Sequence, residues 1–154
     1  MNHREGDLIA LGLAGDFDVI VHGCNCFGTM GAGIAQAIAA QVPEALEADL
    51  ATPLGNPAKL GTISTATHGA LTIVNAYTQF RPAGPAPLVD LDAVSRTFDV
   101  IATRFPTARI GYPLIGAGLA GGNWNHIAPR INTALSGLDH CLVTLPGAGW
   151  PKQV

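Results

Sequence analysis

The sequence predicts an α/β domain in which a mixed central sheet of about six strands is covered by helices on both faces, giving three layers. Three observations predict it. β-branched runs alternate with helical patterns along the chain, the pattern of strands joined by crossover helices. Two strand-like runs, 60–67 and 70–78, meet at His68-Gly69, a hairpin that makes the sheet mixed rather than wholly parallel. The 154 residues are 48% apolar and only 12% charged, enough to build one core and incompatible with disorder. The chain is expected to form a single domain, 1–154, with 146–154 either a loose tail or docked through Trp150.

The elements follow in order. A short strand near 1–5 precedes Asp7, a candidate N-cap for a brief helix. The β-branched run 17–25 ends in small polar residues and reads as a buried strand. Ile34 and Ile38 stand one helical step apart in a helix predicted over 30–41, and Pro43 restarts a second helix over 43–50. Asn56-Pro57 marks a turn before the hairpin, and three prolines make 81–87 a loop. Leu91, Val94, Phe98 and Ile101 give 90–105 a helical period that Pro106 ends. A strand over 109–115, a helix over 123–135 and a strand over 139–145 complete the order.

Charge is unevenly placed. The windows 19–43, 60–80 and 110–129 carry none, and each is long enough to raise the question of a membrane span. Their His, Asn, Gln, Thr and Gly residues argue against one. The net charge is −3 and the eight basic residues are scattered, so no sequence-specific nucleic-acid surface is expected. The N-terminal MNHREGDL has no signal-peptide layout, and three cysteines form no even disulfide framework. A cytoplasmic monomer is the expectation.

Both well-marked strand-to-helix junctions are rich in glycine: Gly28-Thr29-Met30-Gly31-Ala32-Gly33-Ile34-Ala35 and Gly116-Ala117-Gly118-Leu119-Ala120-Gly121-Gly122. Glycine lets successive N–H groups point into one concavity, and the following helix adds free N–H groups. Neither loop holds Lys or Arg, so an anion there would sit on main-chain donors. Two such loops suggest a clamped diphosphate at the carboxyl edge of the sheet, against the plainer reading that the glycines only make turns. Gly116, Gly118 and Gly121 fit a dinucleotide fingerprint, but only one strand lies beyond them. His22, Cys24 and Cys26 alternate on one strand and span a metal poorly, so no metal and no cofactor are expected. Asn25, at the strand end, either caps the following turn or hydrogen-bonds a ligand hydroxyl.

Gly6-Asp7-Leu8, the strand into Met30-Gly31-Ala32-Gly33-Ile34-Ala35, Ile73-Val74-Asn75-Ala76-Tyr77-Thr78-Gln79 and Ile115 through Trp124 together resemble a macrodomain. The likeness is to the small single-domain branch of bacteria and phages related to the phosphatases of ADP-ribose 1″-phosphate. It implies an ADP-ribose cleft: Asp7 on the adenine amino group, Leu8 beside it, and Asn25 on the distal ribose. Met30, Gly31, Ala32, Gly33 and Ile34 would form the first phosphate loop. Gly116, Ala117, Gly118, Leu119, Ala120 and Gly121 would form the second. His22 matches the histidine of the phosphatase branch, as nucleophile or general base with Asn25 positioning the sugar, and Asp90 or Asp92 is the candidate acid. The chain departs from the branch that removes ADP-ribose from protein glutamates, having Gln79 near its lysine position and Ala120 at its aspartate position. The resemblance thus implies a phosphatase that binds ADP-ribose and hydrolyses the phosphate of ADP-ribose 1″-phosphate. A non-catalytic reader, or a hydrolase acting on ADP-ribosylated protein or nucleic acid, are the alternatives. Phe27, Tyr77, Phe80 and Trp124 are the aromatics placed to flank adenine.

Overall fold

The computed structural model describes residues 1–151. Its elements are β1 (Asn2–Glu5), α1 (Leu8–Leu13), β2 (Val19–Cys24), α2 (Gly33–Gln41), α3 (Pro43–Leu50), β3 (Ile63–His68), β4 (Leu71–Tyr77), α4 (Leu91–Arg104), β5 (Ile110–Tyr112), α5 (Trp124–Ala134) and β6 (His140–Thr144), with a 3-10 turn at Pro57–Lys59. They form one six-stranded sheet in the order β1-β6-β5-β2-β4-β3. Every pairing is parallel except β3 with β4, the expected hairpin.

Alternation along the strands splits the core into two layers. Val19, Val21 and Val74 face one side, where Val94, Phe98 and Ile101 of α4 and Ile127 and Ile131 of α5 cover them. Ile20 and Ile73 face the other, under Leu8 and Ile9 of α1, Ile38 of α2 and Ala45 of α3. The central strands are buried on both faces, which is why they read as unbroken apolar runs. Close approach matters at Gly111, where an added Cβ would lie 2.8 Å from the Phe17 ring.

The structure trims several predicted boundaries. The helix expected from Met30 begins at Gly33, because Met30 turns into the core and Gly31 N–H closes a tight turn on the Thr29 carbonyl at 2.7 Å. The strand expected over 109–115 stops at Tyr112, since Pro113 has no N–H to offer a ladder. Asp90 and Asn123 lie outside α4 and α5 as side-chain caps. Of the two alternatives for the tail, its described part shows docking: Gly147 and Gly149 donate to the two Glu5 carboxylate oxygens at 3.0 and 2.9 Å. Trp150 packs edge-on against His3, and residues 152–154 lie outside the described residues. No helix among the described residues is long and apolar enough to cross a membrane.

Candidate functional site

The connections part at the boundary between β2 and β5: β2 leads to β3 and β4 on one side, and β5 leads to β6 on the other, beside β1. Ligand crevices open at such a reversal, beyond the carboxyl ends of the strands. Here the two strands pair only at Val19 with Ile110 and Ile20 with Gly111, whereas β2 runs on to Cys24. Their divergence opens a cleft of about 860 Å³, lined by both glycine loops and by the ends of β1, β2, β5 and β6. Among the described residues no Lys or Arg lines it.

Gly31, Ala32, Gly33 and Ile34 form one wall. Four other helix or turn starts are capped by Asp7, Asn56, Asp90 and Asn123, but α2 begins behind Ala32 with no side-chain cap. The first main-chain bond into this helix is Gln36 N–H to the Ala32 carbonyl at 3.3 Å, which leaves the N–H groups before it facing the cleft. Gly33 enters the helix with φ +56°, a left-handed conformation suited to glycine. Asn25 braces this loop: its Oδ1 accepts from Phe27 N–H at 2.8 Å and its Nδ2 donates to Thr29 Oγ1 at 2.8 Å. The turn-capping alternative is therefore observed, and Asn25 also lines the cleft.

The opposite wall is Gly116, Gly118, Leu119 and Ala120. The loop closes on itself through Gly122 N–H to the Gly116 carbonyl at 2.7 Å, and it is anchored by Leu88 N–H to the Ala120 carbonyl at 2.7 Å. Among the described residues no acceptor takes the N–H of Gly118, Leu119 or Ala120. Leu119 reaches across to the first loop, its Cδ1 lying 3.1 Å from where a Cβ on Gly33 would be. The walls thus meet over the cleft.

At the β1 end, Asp7 and Leu8 both line the cleft, and Asp7 Oδ1 caps α1 by accepting Ala10 N–H at 3.0 Å. At the β4 end lie Cys24, Gln79 and Asp49. Asp49 went unrecognised in the sequence, where it is an ordinary acid late in a short helix. It is 1% exposed and ion-paired to buried Lys59 at 3.1 Å. Its Oδ1 also accepts from the Tyr77 hydroxyl at 2.8 Å, and Lys59 lies over the Tyr77 ring. Only the spacing of Asp49 and Lys59 around an Asn-Pro turn hinted at a pairing, and nothing in it pointed to the cleft.

Several predicted site residues are not brought into the cleft. His22 is fully buried, because its β2 position points into the layer under α3. Asn75 Nδ2 donates to the Ala45 carbonyl and to Ser64 Oγ, both at 3.0 Å, so its Oδ1 faces His22 Nε2 at 2.6 Å. Neutral His22 therefore carries its proton on Nε2, and Cys24 Sγ lies beside the ring, 3.5 Å from Nε2 and 3.7 Å from Nδ1. Burial pushes its pKa down to about 4. Met30 is buried in the core beneath the first loop. Ala117 packs toward α4 and α5, and Gly121 turns to Ala86, 2.8 Å from where its Cβ would be. Asp90 caps α4 by accepting Ala93 N–H and Asp92 approaches Arg130 at 3.5 Å, so neither faces the cleft. The proposed aromatics are also elsewhere. Phe27 and Phe80 pack on each other with centroids 5.0 Å apart, and Tyr77 and Trp124 are buried. Leu8, Ile9 and Leu145 supply the apolar surface at the β1 end instead. Among the described residues no group of three His, Cys, Asp or Glu side chains is placed to hold a metal ion.

No protein-family model matches the chain. Over 153 residues it is 39% identical to a 17.5 kDa protein from the tk-vs intergenic region of Enterobacteria phage T4, covering 93% of this chain and 95% of that one. In structure it resembles the macrodomain of Thermus aquaticus DarG, with a TM-score of 0.73 at 22% identity over 94% of this chain and 97% of that one. Thermosipho africanus DarTG, in complex with ADP-ribose, gives a TM-score of 0.75 at 15% identity, covering 99% of this chain and 43% of that one. The chain therefore has the macrodomain fold and belongs to the family of the phage T4 17.5 kDa protein.

Proposed function

We propose that the cleft binds ADP-ribose, with adenine at Asp7 and Leu8, the diphosphate between the two glycine loops, and the distal ribose beyond Asn25. One observation carries the reading: two loops offer free main-chain N–H groups from opposite walls of a cleft without a basic side chain. A dianion held this way sits on fixed dipoles and a helix N-terminus rather than on mobile cations. The DarTG structure in complex with ADP-ribose is consistent with that ligand. Titration calorimetry with ADP-ribose tests it. Binding heat and a raised melting temperature are expected, and the absence of both refutes the proposal.

A second reading is hydrolysis of the phosphate of ADP-ribose 1″-phosphate. The unpaired N–H groups of Gly118, Leu119 and Ala120 favour it, since such donors suit phosphoryl oxygens as well as a diphosphate. In this reading His22 is a positioning residue. A ring sealed in the sheet and bonded to Asn75 has no line of attack on a phosphorus atom in the cleft. Turnover assays run in parallel on ADP-ribose 1″-phosphate, ADP-ribosylated protein and ADP-ribosylated DNA separate phosphatase, ADP-ribosyl hydrolase and non-catalytic reader. Phosphate release from the first substrate alone is the outcome this second reading requires.

A further inference from the structure

Asp49 is almost sealed from solvent, yet it lines the cleft. Its two oxygens are in different situations. Oδ1 receives both Lys59 Nζ at 3.1 Å and the Tyr77 hydroxyl at 2.8 Å. Among the described residues Oδ2 has no hydrogen-bond donor. Among the described residues the polar side-chain atom that is both sealed and unpartnered is Trp124 Nε1, so Asp49 Oδ2 is not sealed, and the residue lines the cleft. An ionised carboxylate only accepts hydrogen bonds. Whatever meets this oxygen therefore brings a donor, which a hydroxyl does and a phosphate dianion does not.

The sheet fixes which part of a ligand that is. Asp7 follows β1, and Asp49 lies beside the carboxyl end of β4, four strands along the sheet or roughly 19 Å away at the usual strand spacing. The two glycine loops follow β2 and β5, between those ends. A nucleotide with its base at Asp7 and its diphosphate at the loops puts its second sugar at Asp49. Resting on the ADP-ribose reading, we infer that Asp49 Oδ2 accepts a hydrogen bond from a hydroxyl of that distal sugar, making Asp49 the residue that distinguishes ADP-ribose from ADP.

Asp49→Asn gives a defined change. Lys59 and Tyr77 both donate, so they hold the amide oxygen in place of Oδ1 and turn the NH2 toward the cleft, replacing an acceptor by a donor. Calorimetry with ADP-ribose and ADP should show ADP-ribose affinity falling roughly 10- to 100-fold, the range for a lost hydrogen bond to a charged group, with ADP affinity unchanged. On the wild-type protein, an ADP-ribose analogue whose distal sugar lacks its 2- and 3-hydroxyls should lose a similar factor. That arm holds even if the variant does not fold. Tyr77→Phe loosens the same network without touching Oδ2, and should lower the melting temperature while keeping the ADP-ribose preference. Equal losses for ADP and ADP-ribose in Asp49→Asn, an equal loss of preference in Tyr77→Phe, or wild-type-like binding of the analogue overturns the inference and leaves the cleft reading standing. A wild-type protein that binds neither nucleotide overturns both.

Discussion

His22 should make the protein less stable in acid, by an amount the structure sets. The ring is fully buried and neutral, and burial lowers its pKa from 6.5 to about 4. In the unfolded chain it takes a proton below about pH 6.5, which the folded protein refuses until about pH 4. The unfolded state therefore binds more protons between those values, and stability present above pH 6.5 is lost as the pH falls through them. At about 1.4 kcal/mol per pH unit, the loss by pH 4 is about 3 kcal/mol. His140 is also held below its ordinary range by burial, so wild-type data alone mix two histidines. The measurement is urea unfolding of wild type and His22→Gln at pH 7, 6, 5 and 4. Gln keeps a donor for Asn75 Oδ1 but does not titrate. The gap between the two should change by about 3 kcal/mol across the series, with wild type the more acid-sensitive. An NMR titration of the native imidazole checks the cause. A midpoint at pH 6 to 7, with a constant gap between the two proteins, would refute the burial argument and return His22 to the list of accessible bases.

Three further outcomes follow from the same geometry. Asp7→Ala removes the cap on α1, costing about 1 kcal/mol in urea unfolding, and should weaken ADP-ribose more than ribose 5-phosphate; equal weakening removes Asp7 from the adenine end. Lys59→Met leaves the Asp49 carboxylate uncompensated inside the protein and should cost about 3–5 kcal/mol; a change under 1 kcal/mol would show that water reaches the pair. Ala32→Asp should act with opposite signs, stabilising α2 by about 1 kcal/mol as the cap it lacks while repelling the diphosphate and lowering ADP-ribose affinity at least tenfold. Unchanged affinity in that variant would move the anion away from the first loop.

How far the sequence could be read follows from which interactions are local. Val19 to Cys24 shows its strand because both its faces are buried, and the hairpin shows because strand pattern and turn lie within 63–77. Both glycine loops were legible for the same reason, and the structure sets them on opposite walls of one cleft. The direction of His22 was not legible. A parallel strand buried on both faces gives no alternation by which to tell the ligand side from the packed side, and the deciding partners, Asn75 and Ala45, lie far along the chain. Asp49 was hidden likewise, since its role depends on Lys59 and Tyr77 arriving from the 3-10 turn and from β4. Ala32 was hidden too, since the sequence puts the start of this helix at Met30 and position 32 inside it. Asp7, Asn56, Asp90 and Asn123 show that side-chain caps are used readily elsewhere in this chain. A cap at position 32 would bring an acceptor to the N–H groups that face the cleft and occupy them. α3 also starts without a side-chain cap, behind Val42. What sets α2 apart is that its uncapped start lines the cleft, where the missing cap costs stability and keeps those donors free for an anionic ligand.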